Sequence, residues 1–482
     1  MVRRRRLDPL TQVDPGVPLW QRGVSLVGLL LMVFLAWCLS YDRKRFPLRV
    51  VAMGLGLQLL FGVLVLRTDA GLWLFSVLND GVGRLLSFTD VGSRFLFGAY
   101  LDDHFTVALN VLPTIIFFSA LMSVLYHLGV MQKIVLAFAW AMQRTLKTSG
   151  AETLSAAANI FVGQTEAPLV VKPFLGKMTE SELMAVMVGG FATVAGGVMA
   201  AYVGMLREHF PDIAGHLIAA SVMSAPAALV VAKVLRPETA TSESASTLVL
   251  SAERPHENLI DAAAGGASEG VKLALNVGGM LLAFLALVAM VNWFLGVPTT
   301  WHNERVLDAL QAQLGERGMD VSEACGAPDG HAALVSCAHE ARGALHHAGI
   351  ATNAGWMWAP LTLQRILGWV GFPLTFALGI PLEDCSVVSG LLGERVVLNE
   401  FVSYLHLSAN LAGEHPISAR AATITTYALC GFANLGSIGI QLGGIGSLAP
   451  ERRKDLARIG LRAMLGGVLA SYMTACVAGL LI

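Results

Sequence analysis

The chain has 482 residues, of which 55% are hydrophobic and 14% charged, and its formal net charge is −1. Soluble proteins carry about 25% charged residues, so this composition, with a mean hydropathy of +0.63, excludes a soluble multidomain protein. The near-neutral charge and the lack of a basic domain exclude a nucleic-acid-binding protein. We therefore predict a polytopic membrane protein.

The N-terminal region combines a basic tail with a first apolar run, Val24–Leu39. No A-x-A cleavage motif follows this run, so we interpret it as a retained helix. The next loop, "YDRKRFPLR" at Tyr41–Arg49, is basic and should be cytoplasmic by the positive-inside rule. The arginines at positions 3–6 favour the same side for the N-terminus. The N-terminus and this loop flank a single helix, so they cannot both be cytoplasmic. We assign the loop to the cytoplasm and leave the side of the N-terminus open.

Further along the chain, apolar runs recur at the length needed to cross a bilayer, about 20 residues. Including the short first one, the predicted spans are Val24–Leu39, Val50–Leu66, Val107–Leu128, Leu183–Leu206, Ile213–Leu235, Leu273–Leu295, Ile424–Ile445 and Ile459–Ile482. Ala151–Leu175 and Leu361–Leu407 are also apolar but are broken by Gly, Pro and acidic residues, which is typical of re-entrant hairpins. The predicted fold is all-α, with eight transmembrane helices, two re-entrant hairpins and broken helices.

These elements divide the chain into seven segments. They are an N-terminal tail (1–23), scaffold and interfacial helices (24–150), a first transport repeat (151–235), a polar cytoplasmic loop (236–272), a scaffold helix (273–296), an extramembrane insertion (297–358) and a second transport repeat (359–482). Helical pieces are possible within the polar loop.

The insertion carries two cysteines, Cys325 and Cys337. They could form a disulfide if the loop faces an oxidising compartment, and two free thiols are the alternative. The nearby histidines are His331, His339, His346 and His347. They lack zinc-like spacing, so a metal site ranks last.

Two distant segments of the chain are alike. Gly190 opens "GFATVAGG" and Gly431 opens "GFANLGSIG", and each follows an acidic stretch, "GQTEAPL" or "VLNEFVSYL". This indicates a two-fold repeat of a hairpin followed by a broken helix. Helix interruptions at corresponding positions of two repeats mark the binding site of secondary transporters. For one copy alone, close packing through small residues would be the better interpretation.

Glu166 and Glu400 are the matched carboxylates of the two hairpins. A charge at bilayer depth costs about 2.5–3.5 kcal/mol, so each needs a partner or water. An ion pair with Lys172 or Arg395 is the structural alternative, whereas the functional one is hydrogen bonding to a polyhydroxylated or amide-bearing solute. Further donors, acceptors and a flat apolar face would come from Gln164, Thr165, Asn434, Ser437 and Phe432.

The motifs "NIFVGQTEAPLVVKPFL", "GGFATVAGGVMAAYVG", "VLNEFVSYLHLS" and "TYALCGFANLGSIGIQLGGIGSLAPERRKDLARIGLRAMLGG" closely resemble the concentrative nucleoside transporters. The resemblance extends from Val24 to the C-terminus. It implies eight transmembrane helices with two re-entrant hairpins, an inverted repeat that forms the site, and a homotrimer. It also implies nucleoside uptake driven by a sodium or proton gradient.

The resemblance also implies roles for individual residues. Gln164, Thr165 and Glu166 would contact the base, Val198 and Phe432 would pack against it, and Glu400, Asn434 and Ser437 would bind the ribose hydroxyls. Sodium would be held by Asn159, the carbonyls of Val162 and Val194, and the hydroxyl and carbonyl of Thr193. Proton-coupled members tend to lack this Asn and to carry Ser-Glu-Asn instead of Thr-Glu-Ala, so the chain resembles the sodium type. The alternative for Asn159 is that it only caps a hairpin helix.

We therefore expect a non-enzymatic sodium–nucleoside symporter of the cell inner membrane, multi-pass and homotrimeric, with alternating access and no cofactor besides Na+ as coupling ion. A proton-coupled symporter is the first alternative, ahead of a channel or an intramembrane enzyme. The segment "GASEG" at 266–270 fits G-x-S-x-G but lacks the strand–turn–helix setting of that motif. Base preference and the sodium-to-nucleoside ratio stay open.

Overall fold

A computed structural model describes residues 18–98, 101, 106–242, 256–315 and 361–482 of the chain. Throughout these ranges the structure is helical, without strands. The α-helices are α1 (Leu19–Cys38), α2 (Leu48–Arg67), α3 (Asp69–Phe97), α4 (Leu112–His127), α5 (Val130–Leu146), α6 (Gly150–Ala158), α7 (Lys172–Leu175), α8 (Glu180–Ala192), α9 (Gly196–Leu206), α10 (Ile213–Leu235), α11 (Leu259–Gly315), α12 (Leu363–Ala377), α13 (Cys385–Val397), α14 (Glu400–Ala412), α15 (Ala419–Leu429), α16 (Leu435–Leu448) and α17 (Arg453–Leu481). Cys325, Cys337 and the four nearby histidines lie outside the described residues.

Seven of the predicted spans correspond to segments that are long and apolar enough to cross a membrane in the part of the chain described. The eighth run, Ile424–Ile445, is divided between α15 and α16 by a non-helical stretch at residues 430–434. The predicted span Leu183–Leu206 is likewise divided between α8 and α9 at residues 193–195. The all-helical class is confirmed, whereas the count of eight spans and two hairpins stays a prediction.

Helix α11 differs from the predicted boundaries. It begins at Leu259, inside the predicted polar loop, and continues beyond Val297, where the insertion was predicted to begin. Small residues allow its first part to lie close to α4: a β-carbon on Gly266 would meet Ser123 Cβ at 2.6 Å. The "GASEG" motif therefore lies on a helix-packing surface and not on a nucleophile turn.

The chain divides into two compact units, residues 1–279 with 370–482, and residues 280–369. In the smaller unit, the Asn292 amide joins α11 to α12: it donates to Gln364 Oε1 at 3.1 Å and accepts from the Leu363 amide at 2.8 Å. The site residues predicted from the sequence all belong to the larger unit.

The core of the larger unit is built from α8, α10 and α17, which pack against one another. In their most apolar windows, 83% of the residues around α8 and α9, 89% in α10 and 83% in α17 are buried within the chain. The corresponding shares are only 33% in α1 and 28% in α2, so these helices lie at the periphery. Each break in the central helices is therefore surrounded by protein, the setting in which irregular backbone is tolerated at membrane depth.

Local sequence signals define where the two hairpins lie. Hairpin 1 comprises α6, a turn at residues 159–166, a 3₁₀ helix at Ala167–Val171 that packs against α6, and α7. Ser149 and Glu152 form a capping box that starts α6. Hairpin 2 comprises α13 and α14, which pack against each other. The chain reverses between them at Leu398 and Asn399, and the Asn399 side chain accepts from the Val402 amide at 3.0 Å to start α14.

Candidate functional site

The two broken helices meet at their breaks. Gly431 has φ of +137°, and a β-carbon there would lie 2.7 Å from the Phe191 carbonyl oxygen and 2.9 Å from the Ala192 carbonyl carbon. Only glycine adopts this positive φ without strain, and only glycine lacks the β-carbon that would clash with the Phe191–Ala192 backbone. Beside it, the Phe432 amide donates to the Thr193 carbonyl at 3.3 Å. The repeated "GFA" motif therefore places the two interruptions in direct backbone contact.

Beside this crossing, the start of α14, at the turn of hairpin 2, supplies a buried carboxylate. Glu400 accepts hydrogen bonds from Tyr202 Oη at 2.9 Å and from Asn434 Nδ2 at 3.1 Å. Asn434 in turn caps α16, because its Oδ1 accepts from the Ser437 amide at 2.8 Å. The structure therefore brings together all three residues that the resemblance assigns to ribose.

The ion pairs considered for the two carboxylates are absent among the described residues. Arg395 is fully buried but donates to the Ala428 carbonyl and, at 2.9 Å, to Ser471 Oγ. Lys172 is exposed. Since a carboxylate has about four lone-pair sites and Glu400 uses two, it retains capacity to accept from a solute.

Tyr202 is a member of this cluster that the sequence analysis missed. Its ring stacks on Tyr404 with centroids 4.3 Å apart and meets Phe401 edge-on at 5.8 Å. These contacts hold the hydroxyl toward Glu400. A tyrosine within an apolar run was the only signal available, and no spacing rule connects α9 with hairpin 2.

Hairpin 1 contributes Gln164, which is buried against α16. Its Nε2 lies 3.3 Å from Ser437 Oγ, and its Oε1 accepts from Gln441 Nε2 at 3.1 Å. Gln441 is a second residue that the sequence analysis missed. Thr165 lies next to Gly444, where a β-carbon would meet its Cγ2 at 2.9 Å. Hairpin 1 is thus joined through Ser437 to the cluster of Glu400 and Asn434.

The remaining residues assigned to the base are less closely joined to this cluster. Glu166 is exposed within the isolated chain, and its carboxylate lies back over Gly163, so the space at that glycine is taken by Glu166. Val198 is buried in α9, and Phe432 is half-buried directly after Gly431.

The residues assigned to sodium lie where α6 ends and where α8 breaks. Asn159 is fully buried; its Nδ2 donates to the Ser155 carbonyl at 3.0 Å, whereas its Oδ1 has no hydrogen-bond partner. An unsatisfied buried acceptor costs about 1–3 kcal/mol, and a helix-capping role leaves this oxygen unexplained. Thr193 and Val194 are buried in the break and Val162 is half-buried. Oxygen atoms of this kind are the ligands that hard cations prefer.

Family models match most of the chain. The model described as "Na+ dependent nucleoside transporter C-terminus" matches residues 216–479, its N-terminal counterpart matches residues 27–100, and a "Nucleoside recognition" gate model matches residues 108–208. The first match alone includes more than half of the 482 residues. The chain belongs to the sodium-dependent nucleoside transporter family. The resemblance inferred from the motifs is thereby confirmed.

Relatives in this family include vertebrate and bacterial proteins. The chain is 38% identical to solute carrier family 28 member 3 of Eptatretus stoutii over 96% of its length, and 40% identical to sodium/nucleoside cotransporter 1 of Mus musculus over 97%. It spans only 61% and 66% of the length of these two proteins. An uncharacterised transporter of Haemophilus influenzae is 38% identical, and the match includes 95% of this chain and 97% of that protein.

The fold of this chain is similar to that of the transporter CNTnw in its solved structures. The inward-facing, substrate-bound state is similar with a TM-score of 0.77 and 38% identity over 95% of this chain and 97% of that one. An outward-facing state of a substituted CNTnw has a TM-score of 0.79, with 96% and 98% of the two chains matched. The likeness therefore holds for both states of that transporter.

Proposed function

We propose that this chain imports nucleosides by symport with sodium, through alternating access to a site at the crossing of the two broken helices. The observation that carries the proposal is the hydrogen-bonded series Glu400–Asn434–Ser437–Gln164. It joins both hairpins and a broken helix in a member of the sodium-dependent nucleoside transporter family.

The polar groups of this series match the two halves of a nucleoside. Glu400 retains acceptor capacity for ribose hydroxyl hydrogens, and Asn434 and Ser437 lie beside it. Gln164, Thr165 and Glu166 at the turn of hairpin 1 would face the base, with Val198 and Phe432 packing against its ring. Their arrangement supports this division because the residues proposed for ribose lie at the turn of hairpin 2 and the start of α16, whereas the polar residues proposed for the base lie at the turn of hairpin 1.

Sodium would bind between the end of α6 and the break after α8. The free Oδ1 of Asn159 supports this assignment, as does the Thr193 hydroxyl, which donates to the Gly189 carbonyl at 2.9 Å and keeps its lone pairs for a cation. Val162 and Val194 would add carbonyl oxygens. Since the same turn of hairpin 1 carries Gln164, ion and solute would order one segment together, which is a physical basis for coupling.

Release of the solute requires hairpin 1 to leave α16. The bonds between them are neutral: Gln164 to Ser437 at 3.3 Å and Gln441 to Gln164 at 3.1 Å. Each of these hydrogen bonds contributes roughly 0.5–1.5 kcal/mol net. The contact between hairpin 1 and α16 is therefore weak enough to break and re-form in each transport cycle. We place the protein in the cell inner membrane as a homotrimer, which the family resemblance supports.

Uptake into proteoliposomes tests this function. Labelled uridine or adenosine should accumulate only when sodium is higher outside, and a sodium ionophore should abolish the accumulation. Equal accumulation under a pH gradient alone would replace sodium by protons as the coupling ion. A downhill flux without accumulation would indicate a channel. Failure of every nucleoside to accumulate would refute the transporter proposal.

A further inference from the structure

Gln441 lies in α16, fully buried, and contacts both hairpin 1 and the first broken helix. Its Nε2 is 3.1 Å from the Met187 carbonyl oxygen in α8 and 3.1 Å from Gln164 Oε1. Its own Oε1 is buried without a hydrogen-bond partner.

The Met187 carbonyl determines the direction of every hydrogen bond in this group. A backbone carbonyl can only accept, so the Gln441 atom facing it must be the amide nitrogen. The same nitrogen reaches Gln164, which must therefore turn its oxygen toward Gln441. Gln164 Nε2 is then directed toward Ser437, one turn earlier in α16, and lies 3.3 Å from Ser437 Oγ.

Gly190 provides the space that the two glutamines occupy. A β-carbon there would lie 2.7 Å from Gln441 Nε2 and 2.9 Å from Gln164 Cβ. The first glycine of the "GFATVAGG" copy therefore allows this arrangement as well as weakening the helix.

We infer that Gln441 is a positioning residue for solute selectivity: it orients the Gln164 amide so that hairpin 1 meets the base as a hydrogen-bond donor. The inference rests on the proposed nucleoside site. Gln164 Nε2 has two hydrogens, of which one is directed to Ser437 and the other is left for the solute. The preferred solute must then carry an acceptor, a base carbonyl or a ring nitrogen, at that point.

The experiment compares binding of uridine with binding of a ribonucleoside whose base is a plain benzene ring. Gln441→Leu frees the Gln164 amide to rotate, so uridine affinity should fall about tenfold, the factor that corresponds to one hydrogen bond of about 1.4 kcal/mol. The benzene analogue offers no acceptor, so its affinity should not change. In a Gln164→Ala background, Gln441→Leu should have no further effect on uridine.

Gln58→Leu is the matched control. Gln58 is equally buried, donates to Thr474 Oγ1 at 3.0 Å and also has an unpartnered Oε1, but it lies in α2. Its replacement should alter neither ligand's affinity. Gly190→Ala crowds both Gln441 and Gln164 without removing either amide, so it should lower the affinity for uridine more than that for the benzene analogue. This variant keeps the inference testable if Gln441→Leu does not fold, and equal losses for the two ligands would count against it.

Equal losses for uridine and the benzene analogue, or additive effects of the Gln164 and Gln441 changes, would overturn the inference. Unchanged uridine affinity in Gln441→Leu would do the same. Wild-type protein that binds no nucleoside would instead refute the proposed function on which the inference rests.

Discussion

Glu400 illustrates how a single residue is made compatible with a membrane core. Its carboxylate is satisfied by two neutral donors, Tyr202 and Asn434, instead of a cation. A carboxylate paired with a buried arginine would have its lone pairs committed and its geometry fixed. Neutral donors leave lone pairs of the carboxylate open for further hydrogen bonds, as the proposed ribose site requires.

Replacing the carboxylate by an amide tests this role. Glu400→Gln puts an NH2 group opposite either Tyr202 or Asn434 and removes one acceptor, so nucleoside affinity should fall. Hydrogen bonds to charged groups contribute about 1.5–3 kcal/mol, which corresponds to a ~10–100-fold rise in Kd. Binding of a 2′,3′-dideoxynucleoside should change far less. The exposed Glu383→Gln is the control. Wild-type uptake by Glu400→Ala would remove this residue from the site.

Asn159 makes the corresponding prediction for the ion. Asn159→Ala removes the unpartnered buried oxygen, so the sodium concentration for half-maximal uptake should rise about tenfold, equivalent to ~1.4 kcal/mol. Nucleoside affinity at saturating sodium should stay near that of the wild type. Asn79→Ala is a suitable control, because both amide atoms of Asn79 already have protein partners. An unaltered sodium requirement in Asn159→Ala would assign this asparagine to capping alone.

At the scale of elements, the repeated motifs predicted where the two helices break, which the lengths of the apolar runs did not. The paired "GFA" motifs located both breaks because glycine with Thr or Asn weakens a helix wherever it folds. The partners Tyr202 and Gln441 were not predictable, since their contacts join segments far apart in sequence. The early start of α11 was missed because small residues together with Asp261, Ser268 and Glu269 interrupt the apolar pattern there. Small residues such as Gly266 let this part pack against α4, and tertiary packing is what stabilises most helices.

Gly431 provides the test of the crossing itself. Gly431→Ala forces a β-carbon into the Phe191–Ala192 backbone at a positive φ, so the free energy of unfolding should fall by about 1–3 kcal/mol and uptake should drop. Gly439 lies in α16, which follows the break, with open space around it, so Gly439→Ala should be neutral or stabilising by about 0.5–1 kcal/mol. Thermal unfolding in detergent measures both. Equal stability of the two variants would contradict a close crossing at Gly431.

At the scale of the larger unit, basic residues gather at one end. The Tyr41 ring lies 4.9 Å from the Arg236 guanidinium and 3.9 Å from that of Arg462. Glu180 pairs with both Arg236 and Arg458. The first basic loop, the start of α8, the end of α10 and the start of α17 therefore share this end. By the positive-inside rule it should be cytoplasmic, in agreement with the prediction from the loop alone.

The opposite end of the same unit contains the C-terminus, which gives the last prediction. Arg420 donates to the Ile482 carbonyl at 3.0 Å and to the Gly479 carbonyl at 2.7 Å, and also lies beside Ser25 near the start of α1. Because α17 runs from the basic end to Ile482, the C-terminus should be external. Alkaline phosphatase fused after Ile482 should be active in a bacterial host and green fluorescent protein dark, with the reverse pattern for insertions between Arg43 and Lys44. Fluorescence from the C-terminal fusion would invert the topology and place the basic end of the unit on the external side.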